Sequence, residues 1–133
     1  MPRENFVVPA LRGSLTESGP DGILVVGPGG RILSVNRRFF EVWGFPAEVA
    51  AHGDDTQVLA AAVSRTADPK GFLARVSEIY ANPDVVAADE VAMADGRVLE
   101  RHTGPVRGAD GRHYGRVWYF RDVTARKRAE EAV

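Results

Sequence analysis

The side chains able to do chemistry in this chain are scattered along it. Histidine occurs at His52, His102 and His113, with no His-x-x-x-His or His-x-x-Glu spacing of the kind that holds a metal. Asp89, Glu90, Tyr80 and Tyr114 are the candidates for acid and base work, and no spacing joins any two of them into a pair. There is no cysteine, which removes disulfides, thiolate metal sites, thiol nucleophiles and cysteinyl cofactor adducts together. Gly27-Pro28-Gly29-Gly30 is followed by no Lys-Ser or Lys-Thr, so it reads as turn chemistry and not as a phosphate loop. The chain is therefore expected to hold neither a catalytic centre nor a metal.

What remains is an arginine among apolar residues, and strand register places it. If Asp95-Gly96 is a two-residue turn, Ala94 pairs with Arg97, Ala92 with Leu99 and Glu90 with Arg101. If Gly108 to Gly111 is the next loop, Leu99 lies opposite Phe120, Arg101 opposite Trp118 and Thr103 opposite Arg116. Ala92, Leu99, Trp118 and Phe120 then share an inner face, with Val117, Tyr119 and His102 on the other. A buried guanidinium needs a partner. Two readings stand: a structural Glu90–Arg101 ion pair, or an Arg101 that lies on Trp118 and offers its fork to a ligand carboxylate. Phe39, Phe40, Trp43, Phe72, Trp118 and Phe120 are either plain core or the walls of a pocket.

The elements that must position these residues follow from the turns. Met1 to Pro9 reads as an arm, and Ser14 to Glu17 has capping-box spacing for a short helix near Leu11 to Ser18. A hairpin, Ile23 to Val26 and Ile32 to Val35, precedes Asn36, which caps an aromatic helix stopped by Gly44. Asp54 and Gln57 repeat the capping-box spacing before a second helix. Asp68-Pro69 opens a third, which Asn82-Pro83 ends. Three strands follow, Val85 to Met93, Arg97 to Val106 and Arg112 to Asp122, and then a charged helix. This is an α+β domain with an antiparallel sheet.

At 133 residues the chain suits one compact domain. A net charge of −1 gives it no nucleic-acid footprint. No apolar run approaches the roughly 20 residues of a membrane span, and Met1 to Pro9 resembles no secretory signal. A cytoplasmic location and no membrane contact by this segment are expected. Arg126-Lys127-Arg128 followed by Glu130-Glu131 reads as a solvated helix surface, with Ala125, Ala129 and Ala132 as a short seam.

The ordered set of these features resembles a PAS domain. The carriers are the hairpin ending Val35-Asn36, the aromatic helix ending Trp43-Gly44, the Asp95-Gly96-Arg97 and Asp110-Gly111-Arg112 turns, and Asp122-Val123-Thr124 before basic residues. The resemblance implies a five-stranded sheet in the order 2-1-5-4-3 with short helices on one face. It divides the chain into an arm (1–10), a PAS-like domain (11–122) and the start of a signalling helix (123–133). The implied function is sensing, as a homodimer, with a change relayed through the C-terminal helix to an effector such as a histidine kinase. Alternatives are a ligand-free dimerisation module and a small isomerase-like or hydratase-like enzyme.

By the same resemblance, the pocket candidates are Phe39, Phe40, Trp43, Phe72, Glu90, Leu99, Arg101, Thr103, Trp118 and Phe120, and the output residues are Asp122 and Thr124. A small organic ligand fits this pattern. Haem does not, since the helix from Pro69 to Ala81 lacks the histidine that haem-binding members offer. Flavin fits poorly, because Phe120 and Leu99 replace the glutamine and asparagine of the flavin branch. The apolar Phe6, Val7, Leu11 and Leu15 are expected to pack in a dimer against the sheet face carrying Val117 and Tyr119.

Overall fold

A computed structural model describes residues 19–132. The arm, the helix expected near Leu11 to Ser18 and the proposed packing of Phe6, Val7, Leu11 and Leu15 lie outside them.

Five strands form one antiparallel sheet in the order β2-β1-β5-β4-β3. They are β1 (Gly22–Val26), β2 (Ile32–Val35), β3 (Ala87–Ala92), β4 (Val98–Arg107) and β5 (His113–Asp122). Between β2 and β3 run α1 (Arg37–Trp43), α2 (Thr56–Arg65) and α3 (Pro69–Tyr80), and α4 (Thr124–Glu131) leaves after β5. The helices α1 to α3 cover one face of the sheet, where Leu24, Phe39, Trp43, Ile79, Leu99, Trp118 and Phe120 belong to a continuous core. A smaller apolar group, Ile23 and Val25 with Val106, Val117 and Tyr119, lies on the other face.

Asn36 fixes the approach of α1 to the sheet. Its side chain is fully buried, and Oδ1 accepts from the backbone N–H of Phe39 (2.9 Å) and of Ile23 (2.8 Å). Nδ2 donates to the Asp21 carbonyl at 3.0 Å. One side chain thus caps a helix and holds the strand beside it. A Cβ at Gly22 would sit 2.6 Å from the Phe39 Cα, so α1 lies close enough to β1 to require glycine there. Gly44 closes α1 in the left-handed conformation, φ 78°.

Register is where the structure departs from the sequence reading. The β3–β4 connection is a three-residue loop, Ala94-Asp95-Gly96: Met93 N–H donates to the Arg97 carbonyl and Gly96 N–H to the Met93 carbonyl. Gly96, at φ 93°, closes the loop before the chain enters β4. Asp89 therefore pairs with Arg101, Glu90 with Glu100 and Val91 with Leu99. The expected Glu90–Arg101 and Ala92–Leu99 pairs do not form, because one extra loop residue moves every β3 side chain to the opposite face. Glu90 and Ala92 point outward, and Val91 and Met93 are buried.

The second hairpin slips by two. Leu99 pairs with Asp122, Arg101 with Phe120 and Thr103 with Trp118, with a bulge at Val106/Arg107. A shift of two preserves the faces, so Arg101, Thr103, Trp118 and Phe120 still point inward. Its loop repeats the first: Gly108 N–H donates to the Arg112 carbonyl and Gly111, at φ 79°, donates to the Gly108 carbonyl. In both loops the aspartate accepts from the amide of the following arginine, Asp95 from Arg97 at 3.1 Å and Asp110 from Arg112 at 2.9 Å.

Candidate functional site

A cavity of about 50 Å³ lies between the sheet and the helices. Six of the pocket candidates line it: Phe39 and Trp43 from α1, Phe72 from α3, Arg101 from β4, and Trp118 and Phe120 from β5. The rings lock one another. Trp43 stacks on Phe45 at 5.4 Å between centroids and meets Phe120 and Phe72 edge-on at 5.1 and 5.9 Å, and Trp118 lies parallel to Phe120 at 6.4 Å.

Arg101 is 4% exposed. Its partner is Asp89: Nε donates to Oδ1 and Nη2 to Oδ2, both at 2.8 Å, a bidentate fork. Arg75 of α3 reaches the same carboxylate from outside, Nε to Oδ2 at 3.3 Å, while its Nη1 engages Glu78. Burial pushes the Asp89 carboxyl up, but the hydrogen bonds and charges of Arg101 and Arg75 outweigh it and hold the carboxyl below its ordinary value. The guanidinium lies over Phe72, 5.4 Å from the ring centroid, and not over Trp118, where the second of the two readings put it. Glu90, expected as its partner, faces outward and meets Lys127 of α4 at 3.3 Å.

Three further sequence candidates stand away from the cavity. Leu99 is core with no exposed surface, Phe40 packs against the core from α1, and Thr103 is buried with its hydroxyl donating to the Val117 carbonyl at 2.8 Å.

Two polar residues that the sequence reading did not place here stand at the rim. Tyr80, at the end of α3, is 40% exposed, yet its hydroxyl accepts from Trp118 Nε1 at 3.2 Å and donates to Asp55 Oδ2 at 3.4 Å. Burial of the hydroxyl pushes it up to about 12, and burial also raises the Asp55 carboxyl. Asp55 is free for this role because its neighbour Asp54 takes the turn at the start of α2, accepting from Thr56 N–H at 3.0 Å. The acidic pair Asp54-Asp55 was the available signal.

A second buried arginine also escaped the sequence reading. Arg116 is 2% exposed, and no carboxylate among the described residues meets it. Nη1 donates to the Val85 carbonyl (2.9 Å) and Thr103 Oγ1 (3.2 Å), and Nη2 to the carbonyls of Pro83 (2.9 Å) and Asn82 (3.4 Å). The three carbonyls follow the C-terminus of α3, the negative end of its dipole, which suits a cation. Desolvation is what lowers its pKa.

Two buried donors have no acceptor among the described residues, Trp43 Nε1 and Arg101 Nη1, and both residues line the cavity. Native interiors keep few such groups. No set of three or more carboxylates and histidines is clustered to hold a metal among the described residues, and no helix there is long and apolar enough to cross a membrane.

The C-terminal end of β5 and the start of α4 are tied to this layer. Asp122 Oδ1 accepts from the Thr124 amide (2.9 Å) and hydroxyl (2.6 Å), and Thr124 Oγ1 accepts from Val98 N–H at 2.9 Å. Arg97 Nη1 donates to Asp122 Oδ2 at 3.4 Å and to the Val42 carbonyl in α1 at 2.7 Å. On the outer face Arg126 meets Glu100 at 3.4 Å, beside the Lys127–Glu90 contact.

Residues 16–128 match the family described as PAS fold. The PAS domain of Bordetella pertussis BvgS is similar over 89% of this chain and 88% of its own, with 18% identity and a TM-score of 0.63. The sensor region of a sensor histidine kinase is similar over 80% of this chain, with 18% identity and a TM-score of 0.60, and the match spans 40% of that chain's length. An RNA-binding light-oxygen-voltage receptor is 25% identical over 92% of this chain and 33% of its own, with a TM-score of 0.56. No curated protein sequence matches.

Proposed function

The chain belongs to the PAS family, and we propose that it is a sensory module in which a small ligand occupies the cavity and the change passes through α4 to an effector such as a histidine kinase. The observation that carries this reading is the pair of unpartnered buried donors on one apolar cavity. A core serving stability alone gains nothing from unpaired donors, whereas a ligand site needs a few placed polar groups. Likeness to sensor regions supports the signalling part. The relay is supported by Arg97, which touches α1 and Asp122 together, and by Thr124, which bonds to β4.

The cavity is far below the roughly 300–1,000 Å³ of sites for drug-sized ligands, which favours a small organic ligand over haem or flavin. The Tyr80–Asp55 contact at the rim holds a hydroxyl pushed up to about 12, a poor acid or base near neutral pH, which favours a non-catalytic module. In this reading the domain works as a cytoplasmic homodimer with no nucleic-acid or membrane contact of its own. Its interface includes the outer face around Val117 and Tyr119, both half-buried there.

Native mass spectrometry of the freshly purified domain, compared with the denatured chain, tests the ligand. A retained small molecule is the expected result, and a bare mass that no metabolite extract changes would leave only the ligand-free dimerisation module. Analytical ultracentrifugation tests the dimer: wild type should sediment as a dimer, and the Val117→Glu, Tyr119→Glu variant as a monomer.

A further inference from the structure

We propose that the ligand is a short-chain monocarboxylate, its carboxylate held by Arg101 Nη1 and Trp43 Nε1 and its apolar body lying among Phe72, Val76 and Phe120. This rests on the sensory reading above and names the chemistry of the same cavity.

Hydrogen-bond inventory sets the polar end. Arg101 spends Nε and Nη2 on Asp89 and keeps Nη1 unspent, and the indole N–H of Trp43 is likewise unspent. Neither group can accept a hydrogen bond, so the complementary ligand atom is an acceptor, and an ammonium is excluded. Both side chains stand against one ring: Trp43 meets Phe72 edge-on at 5.9 Å and the Arg101 guanidinium lies 5.4 Å from the same centroid. Both donor-bearing side chains thus flank the Phe72 ring on the cavity wall.

Charge then separates a carboxylate from a neutral carbonyl. The Arg101 guanidinium is buried on the cavity wall and permanently charged. The one carboxylate on Arg101, that of Asp89, is shared with Arg75. A permanently charged guanidinium with an N–H group unspent makes its stronger hydrogen bond to a carboxylate, which selects the acid over the neutral carbonyl. Asp55 stands at the other end with Tyr80 and repels an anion, which orients the carboxylate toward Arg101.

Size sets the body. About 50 Å³ is room for about four water-sized groups, which suits propionate, butyrate or isobutyrate and not a long acid. Val76 and Phe120 offer this body no polar contact.

Calorimetric titration of the domain with isobutyrate, isobutyramide and isobutylamine, each at the same ionic strength, tests the class. The expected order is saturable binding of isobutyrate, at least about tenfold weaker binding of the amide, and none of the amine. Trp43→Phe keeps the ring and removes the N–H, and should weaken isobutyrate about tenfold while leaving the amide-to-acid preference in the same direction. Arg101→Met with Asp89→Leu removes the ion pair as a unit, so the fold survives the loss of charge, and should abolish the preference for the acid. Equal binding of acid and amide, or full affinity in Trp43→Phe, overturns the carboxylate seat while the sensory reading stands. No binding of any probe, together with a bare mass in native spectrometry, overturns both.

Discussion

Strands β3 and β4 carry two charged clusters back to back, one residue apart along each strand, and the two obey different physics. On the inner side Asp89 faces Arg101, both oxygens engaged, with the guanidinium removed from water. On the outer side Glu90 faces Glu100, like charge against like, and the helix α4 supplies Lys127 and Arg126 to offset them. His102 adds a contact to Glu100 at 3.2 Å. The inner guanidinium is desolvated, so stranding it without Asp89 is expensive to the fold. The outer cluster is solvated and nearly silent in stability, but it adds to the docking of α4, because Lys127 and Arg126 offset part of the repulsion between the two glutamates.

The largest effect should come from stripping the inner pair of its acid. Asp89→Ala leaves the Arg101 guanidinium buried without a counter-ion and should cost about 3–5 kcal/mol, read from the shift of a urea unfolding midpoint at constant slope. A loss under about 1 kcal/mol would mean that the pair behaves like the outer one. Removing both partners sharpens the point: Asp89→Leu with Arg101→Met should return to within about 1–2 kcal/mol of wild type, since no charge is stranded.

Acid should separate the two versions next. The Asp89 carboxyl titrates below its ordinary 3.8 in the folded chain. Its contribution is therefore complete above pH 3.8 and disappears as pH falls through the lower folded value. Wild type should lose more stability than the double variant in that acid window, and parallel curves would deny the linkage. At the rim the sign reverses, because the Asp55 carboxyl is raised. Its contribution is present below 3.8 and lost as pH rises through the folded value, so Asp55→Asn should gain relative stability toward neutral pH.

The smallest change in stability belongs to the outer side. Lys127→Ala with Arg126→Ala should cost at most about 1 kcal/mol, and less in high salt. The informative reading is hydrogen exchange of the α4 amides, which should speed in the variant and recover when Glu100→Gln is added. Protection unchanged in the double alanine variant would remove the outer cluster from any part in docking the helix.

Much of this arrangement was legible in the residues. Asn36, Gly44 and Asp68-Pro69 act locally, through caps that need only their own backbone neighbours, and each bounds a helix where the sequence put it. Asp122 and Thr124 likewise sit together by adjacency. The choice between Asp89 and Glu90 was not legible, because Asp95-Gly96 closes a hairpin equally well as a whole two-residue turn or as the last two residues of a three-residue loop. Only that count decides which acid faces inward. The identical use of Asp-Gly-Arg in both hairpins is a regularity that sequence alone displays but does not measure. The role of Arg116 and the pairing of Tyr80 escaped for another reason: their partners are backbone carbonyls and a rim carboxylate brought together by the folding of α3 onto the sheet.

Arg116 has a consequence for how the domain opens. Its guanidinium binds three carbonyls of the segment that joins α3 to β3, from the middle of the sheet. If α3 swung away while the sheet stayed intact, those oxygens and a permanently charged side chain would lose their mutual contacts in one step. Helical layer and sheet are thereby fused into a single cooperative unit, in which the slowest-exchanging amides of α3 and β5 share one opening free energy.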